Sequence, residues 1–138
     1  MIVMSFDFGT KKIGVAIGEC VTYSSRVLKT INKKNYIQNI KKIILDWKPK
    51  KIIVGLPLNI YGKKQKITIK AEKFSHNLFK KFKIPVILHD ERFTTIEAKN
   101  LLFKTGGIKK LTKNKINSLS AKIILQSWLY EKFKKKMT

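Results

Sequence analysis

Ile2-Val3-Met4-Ser5-Phe6-Asp7-Phe8-Gly9-Thr10-Lys11-Lys12-Ile13-Gly14-Val15-Ala16-Ile17-Gly18 decides the fold. Ile2 to Phe8 is nearly all apolar, with one carboxylate, Asp7, close to its end, and Lys12 to Gly18 is a second short run rich in Ile and Val. Only Gly9-Thr10-Lys11 separates them, so the pair predicts a β-hairpin. A third run, Ser25 to Ile31, alternates Val27 and Lys29 with their neighbours and extends the hairpin to a three-stranded antiparallel meander.

Working outward, the period changes. Between Asn35 and Trp47 the apolar residues fall at Tyr36, Ile37, Ile40, Ile43, Ile44 and Trp47, one stripe of a helix that Pro49 stops. Lys51-Ile52-Ile53-Val54-Gly55 is a continuous β-branched run, as expected of a strand covered on both faces. Lys66 to Phe82 places Ile67, Ala71, Phe74, Leu78 and Phe82 on one helical face, and a further strand is expected at Pro85 to His89. Thr94 with Glu97 fits a capping box for a helix reaching about Phe103. Lys104 to Lys115 has lysines, two glycines and no period, and reads as a basic loop. A final helix is expected from about Asn117 to Phe133. Right-handed crossovers make strands one, four and five parallel. The expected architecture is α/β, a mixed five-stranded sheet flanked by helices, three antiparallel strands then parallel ones, in a single domain over residues 1–138.

The 138 residues, 43% of them hydrophobic, suit one core. Lys and Arg number 31 against 8 Asp and Glu, a formal charge of +23, which points to a polyanionic partner, nucleic acid first. All but Arg26 and Arg92 of these cations are lysine, and Ile and Asn are also abundant, a pattern that AT-rich codons produce without selection for binding. Cys20 stands alone, which excludes an internal disulfide framework and a structural zinc cluster and fits a reducing cytoplasm. No apolar run approaches the roughly 20 residues that span a bilayer, so no membrane association is expected.

In such sheets ligands gather beyond the carboxyl ends of the strands. Those ends are Asp7-Phe8-Gly9, Gly55-Leu56-Pro57-Leu58-Asn59 and His89-Asp90-Glu91-Arg92, which hold three of the eight acidic residues. A carboxylate on an apolar strand loses hydration, and Asp90 and Glu91 would repel Asp7. A hard divalent cation, Mg²⁺ or Mn²⁺, relieves both problems, and two such ions about 3.5 to 4 Å apart would support phosphodiester hydrolysis. The plain alternative has Asp7 accepting turn amides and Asp90 paired with Lys11 or Arg92. His76 reads as a solvated helix residue and His89 as a satisfied strand-end histidine, while Asp46, Glu72 and Glu131 read as partners of nearby lysines. Asn117 heads the last expected helix, where an N-cap is the default role. Positions 117, 121, 124 and 128 nevertheless form one face, which turns the amide toward the sheet. Lys11, Lys12, Arg92, Lys109, Lys110 and Lys113 flank this edge and form the expected nucleic-acid surface.

Taken in order, Phe6-Asp7-Phe8-Gly9-Thr10-Lys11-Lys12-Ile13-Gly14-Val15-Ala16, Ile52-Ile53-Val54-Gly55-Leu56-Pro57-Leu58-Asn59 and Leu88-His89-Asp90-Glu91-Arg92 resemble the motifs of the YqgF/RuvX family, with Gly106-Gly107 in the basic loop. The resemblance covers essentially the whole chain. It implies an RNase H-like fold and a Holliday-junction-resolvase-like nuclease that matures the 5′ end of the small-subunit ribosomal RNA precursor. It makes Asp7 the first-strand carboxylate and Glu91 the fifth-strand carboxylate. The third acidic residue of that pattern, an aspartate before a serine, is replaced here by Asn117-Ser118, which can offer a carbonyl oxygen to a metal but no charge. The pattern's acidic residue before the glycine of the Leu-Pro-Leu-Asn loop is also absent, Tyr61 preceding Gly62. Two other classes stay open. One is a nucleic-acid-binding module of the same fold without catalysis, or a resolvase acting on DNA junctions. The other is a nucleotide hydrolase, since Asp7-Phe8-Gly9-Thr10 with Gly14 looks like the first phosphate loop of actin-like ATPases, although those clasp nucleotide between two such domains.

Overall fold

A computed structural model describes residues 1–22, 24–90 and 113–134, with side chains from 119 to 132 in the last stretch. Strands β1 (Ile2–Phe8), β2 (Lys12–Glu19) and β3 (Ser24–Asn32) form the expected meander, and β4 (Lys51–Leu56) and β5 (Val86–Asp90) add to it in the order β3-β2-β1-β4-β5. β1 pairs antiparallel with β2 and parallel with β4, and β4 pairs parallel with β5. The turn closes through the Gly9 amide, which donates to the Lys12 carbonyl at 3.1 Å.

Helices α1 (Tyr36–Trp47) and α2 (Lys66–Phe82) lie at the positions their apolar stripes predict. Lys48 ends α1 in the left-handed region (φ 49°), its amide returning to the Ile44 carbonyl at 2.8 Å, one residue before Pro49. Ahead of α2, the Asn59 side-chain oxygen accepts the amides of Tyr61 and Lys63, both at 2.9 Å, and Gly62 takes φ 77°, which few residues with a Cβ adopt. The Thr68 hydroxyl donates to the Pro57 carbonyl and receives the Gln65 amide, tying the loop after β4 to the first turn of α2.

The last helix, α3, departs from expectation. It runs Lys113–Leu129 and passes into a π-type turn, Tyr130–Lys134. Its start is four residues earlier than expected, so Lys113 to Lys115 are helical, not loop, and Asn117 sits a full turn inside the helix. Asn117 is therefore not the N-cap residue. The helix expected from Thr94 and the Gly106-Gly107 loop lie outside the described residues.

Two cores cover the two faces of the sheet. On one, Met4, Phe6, Ile13, Val15, Ile17, Ile52 and Val54 pack under α1 and α2 with Ile40, Phe74 and Leu78. Phe74 is the hub, with ring centroids 5.7 Å from Phe6 edge-on, 5.0 Å from Phe8 and 5.3 Å from Tyr36. On the other, Val3, Ala16, Cys20 and Ile53 pack under Ala121, Ile124, Leu125, Trp128 and Leu129 of α3. Burial on both faces explains why β4 reads as an unbroken apolar run. No helix of the described residues is long and apolar enough to cross a membrane.

Candidate active site at the carboxyl edge of the sheet

Alternation along β1 assigns the faces. Met4 and Phe6 belong to the α1 and α2 side, whereas Val3 packs under α3 and the buried Ser5 hydroxyl donates to the Ala121 carbonyl of α3 at 2.6 Å. Two residues on, Asp7 has the same parity and stands half-buried on the α3 face at the end of β1.

Register then determines what stands beside it. Asp7 pairs with Gly14 of β2. On the other side Phe6 pairs with Val54, so the next step along both strands puts Asp7 beside Gly55, which in turn pairs with His89. One row across the sheet therefore reads Gly14, Asp7, Gly55, His89. Both immediate neighbours of the carboxylate lack a side chain, and both are buried, so backbone alone flanks Asp7 within the sheet. The β2–β3 register also shifts at this level, Ile13 pairing with Ile31 but Val15 with Leu28, so that two residues of β3 oppose Gly14. Bulges of this kind recur beside functional sites.

β5 separates two residues that the sequence placed together. Val86 packs on the α1 and α2 side and Ile87 on the α3 side. His89 accordingly faces α3, its Nε2 2.9 Å from the Ser127 hydroxyl, while alternation puts the exposed Asp90 on the opposite face from Asp7. His89 is thus hydrogen-bonded, as expected of a strand-end histidine, but it shares the row of Asp7. Sequence reading named Gly55 at a strand end and Gly14 in the motif after Asp7 but set neither beside Asp7, and it did not single out Ser127, because the row exists only once the register is known.

Two contacts orient α3. Ser5 meets Ala121, and a Cβ added to Gly18, the partner of Val3, would lie 2.8 Å from Leu125, so α3 proceeds toward the start of β1 as the chain advances. Position 117, one turn or about 6 Å earlier in α3, lies toward the end of β1 that carries Asp7. Lys11 is exposed in the hairpin turn and Lys12, half-buried, begins β2, both next to this end. Lys113 opens α3. Glu91, Arg92, Lys109 and Lys110 lie outside the described residues. Among the described residues no three His, Cys, Asp or Glu side chains converge as a metal cluster. Elsewhere His76 and Asp46 are exposed, and Glu72 pairs with Lys64 at 2.9 Å, a solvated ion pair.

The family model described as RuvX, Holliday junction resolvase, matches residues 1–131. A protein of Buchnera aphidicola subsp. Acyrthosiphon pisum (strain Tuc7) named "Putative pre-16S rRNA nuclease" is 54% identical over 131 residues, covering 93% of this chain and 97% of its own. A protein of Proteus mirabilis (strain HI4320) with the same name is 45% identical over 134 residues, covering 95% and 96%. Among solved structures, Thermus thermophilus RuvC in complex with a Holliday junction substrate superposes with a TM-score of 0.61 at 12% identity, covering 95% of this chain and 94% of that one. That likeness is one of fold, and the fold is RNase H-like. By the family match and by identity well above what chance allows over nearly the full length, the chain belongs to the RuvX family.

Proposed function

We propose that the protein is a metal-dependent nuclease that hydrolyses RNA phosphodiesters at the carboxyl edge of its sheet, processing the 5′ end of the small-subunit ribosomal RNA precursor. The observation that carries this reading is the setting of Asp7, a half-buried carboxylate flanked in register by Gly14 and Gly55 on the face that α3 covers. The names of the relatives support the substrate.

The donors suit a hard cation, being carboxylate and amide oxygens rather than thiols or free imidazoles. Asp7 and Glu91 would hold Mg²⁺ or Mn²⁺, with the Asn117 carbonyl as a neutral third donor. Asp90, whose alternation in β5 turns it away from Asp7, is the weaker candidate. Bound there, such an ion supplies charge neutralisation at the phosphate and activation of water. Lys11, Lys12, Arg92, Lys109, Lys110 and Lys113 would hold the phosphates on either side of the scissile bond.

Asn117 favours a second reading, a nucleic-acid-binding module of the same fold that has lost catalysis, because one negative charge of the family's pattern is missing. A titration of Mg²⁺ and of Mn²⁺ against cleavage of a labelled ribosomal RNA precursor separates the two. Metal-dependent cleavage that Asp7→Asn abolishes is expected. Salt-sensitive RNA binding with no cleavage at any metal concentration would give preference to the binding module.

A further inference from the structure

The face of the sheet opposite α3 carries a groove that the site above does not use. Between the start of α1 and the second half of α2 lies a cavity of about 570 Å³ whose polar lining is Lys33, Asn35, Gln38, Lys41 and Lys81 beside the ring of Tyr36. Its wall is set by a contact between the helices, the Asn77 side-chain amide donating to the Tyr36 hydroxyl at 3.2 Å. Lys33 lies over the ring of Phe8, 4.0 Å from its centroid, and Phe8 follows Asp7, so the groove begins next to the carboxyl edge on the reverse face.

Charge here is one-sided. α1 and α2 together hold two carboxylates, Asp46 and Glu72, and Lys64 takes the second at 2.9 Å. On α2 the exposed positions Lys66, Lys70, Lys73, Asn77, Lys80 and Lys81 recur every three or four residues, a stripe about 22 Å long at 1.5 Å per residue. Lysines one turn apart on a helix repel, a small but repeated cost that a bound anion removes. Lys33 carries the same burden in a half-buried place: burial pushes its ammonium below the ordinary lysine range, and repulsion from Lys70 adds to it. No acidic residue stands in the first turn of α1, and Asn35 makes no side-chain cap there, so the partial positive charge of that terminus adds to the lysines.

We propose that this α1–α2 groove is a second nucleic-acid site, which grips the sugar-phosphate backbone of the RNA away from the point of cleavage through Lys33, Lys41 and Lys81. The inference rests on the proposed function for the identity of the partner. The occupant is a phosphate backbone and not a small anion, because the stripe extends over a length in which one duplex strand presents about six phosphates at roughly 3.4 Å each along its axis. Lysines as compact point charges suit phosphates without reading bases.

The test is binding of a labelled RNA hairpin to the full-length protein in EDTA, with the dissociation constant measured across a salt series. Lys33→Gln/Lys41→Gln/Lys81→Gln is expected to lower the slope of log Kd against log salt by about two to three and to weaken binding at least about tenfold at low salt. Lys41→Gln/Lys81→Gln, both at exposed positions, spares the half-buried Lys33 and should give about two-thirds of that change in slope. The equal-charge control Lys29→Gln/Lys48→Gln/Lys50→Gln, outside the groove, should change the slope by less than about one. Equal effects of the two triple variants would overturn the groove, as would an inert groove variant beside a Lys11→Gln/Lys12→Gln variant that binds weakly. Both of those results leave the proposed function standing. Wild-type protein that binds no RNA even at low salt would overturn the proposed function and the groove together.

Discussion

The hydroxyl of Ser5, in the middle of β1, donates to the main-chain carbonyl of Ala121 in α3 at 2.6 Å, a buried hydrogen bond between residues 116 apart in sequence. It is the polar link between the strand that carries Asp7 and the helix that carries Asn117. Around it Val3, Ala16, Ile53, Ile124, Leu125 and Trp128 pack by their apolar surfaces, so this directional bond helps to specify how far α3 slides along β1. Ser5→Ala removes the donor and leaves a small void. A loss of about 1 to 2 kcal/mol in urea unfolding is expected, with metal-dependent cleavage falling by more than stability alone accounts for. Unchanged stability would show that the bond does not hold α3.

Gly18 makes the complementary steric contact. A Cβ there would lie 2.8 Å from Leu125 Cδ2 and 3.2 Å from the Ser24 carbonyl oxygen, and Leu125 is fully buried, so its side chain must shift within the core to admit it. Gly18→Ala should destabilise by about 1 to 3 kcal/mol through overpacking. Pairing it with Leu125→Val, which shortens the opposing side chain, should recover part of that loss. A double-mutant cycle with no coupling would refute the contact.

Glu19 gives the protein an acid-sensitive contact. Its carboxylate accepts from the N-terminal ammonium at 2.7 Å and from the Val21 amide at 3.1 Å, and the first of these chiefly holds its pKa below the ordinary value of 4.5. A depressed folded pKa means that the contribution is present above the unfolded value and disappears as pH falls through the folded one. Glu19→Gln should therefore flatten the stability profile below about pH 4.5 while leaving the profile above pH 6 parallel to wild type, read by thermal unfolding across pH. Parallel curves at every pH would remove Glu19 from the acid response.

Asn117 separates enzyme from binder. Because α3 starts at Lys113, position 117 is inside the helix, and a capping role no longer competes with a ligand role. On the proposed site, Asn117→Asp supplies the negative charge that the resemblance expects at this position and should lower the metal concentration needed for half-maximal cleavage. Asp7→Asn should abolish cleavage at all metal concentrations and leave salt-sensitive RNA binding intact. Asn117→Asp with the same metal dependence as wild type would place 117 outside the metal's reach.

The elements themselves were legible in the sequence, since each depends on a period that neighbouring residues carry. The hairpin follows from two short β-branched runs about Gly9-Thr10-Lys11, α1 and α2 from stripes at helical spacing, and the buried β4 from an apolar run without alternation. Asp7 also stood out, because a carboxylate on such a strand needs a reason. Tertiary structure alone decided what surrounds it. That Gly14 and Gly55 flank Asp7, that His89 completes the row, and that Asp90 turns to the other face are matters of register, set by pairing between strands far apart in sequence, and a shift of one residue would reverse every face. The start of α3 was equally hidden: Lys113, Asn114 and Lys115 offer no apolar stripe, and they are helical because the turns that follow bury Ala121, Ile124, Leu125 and Trp128 against the sheet.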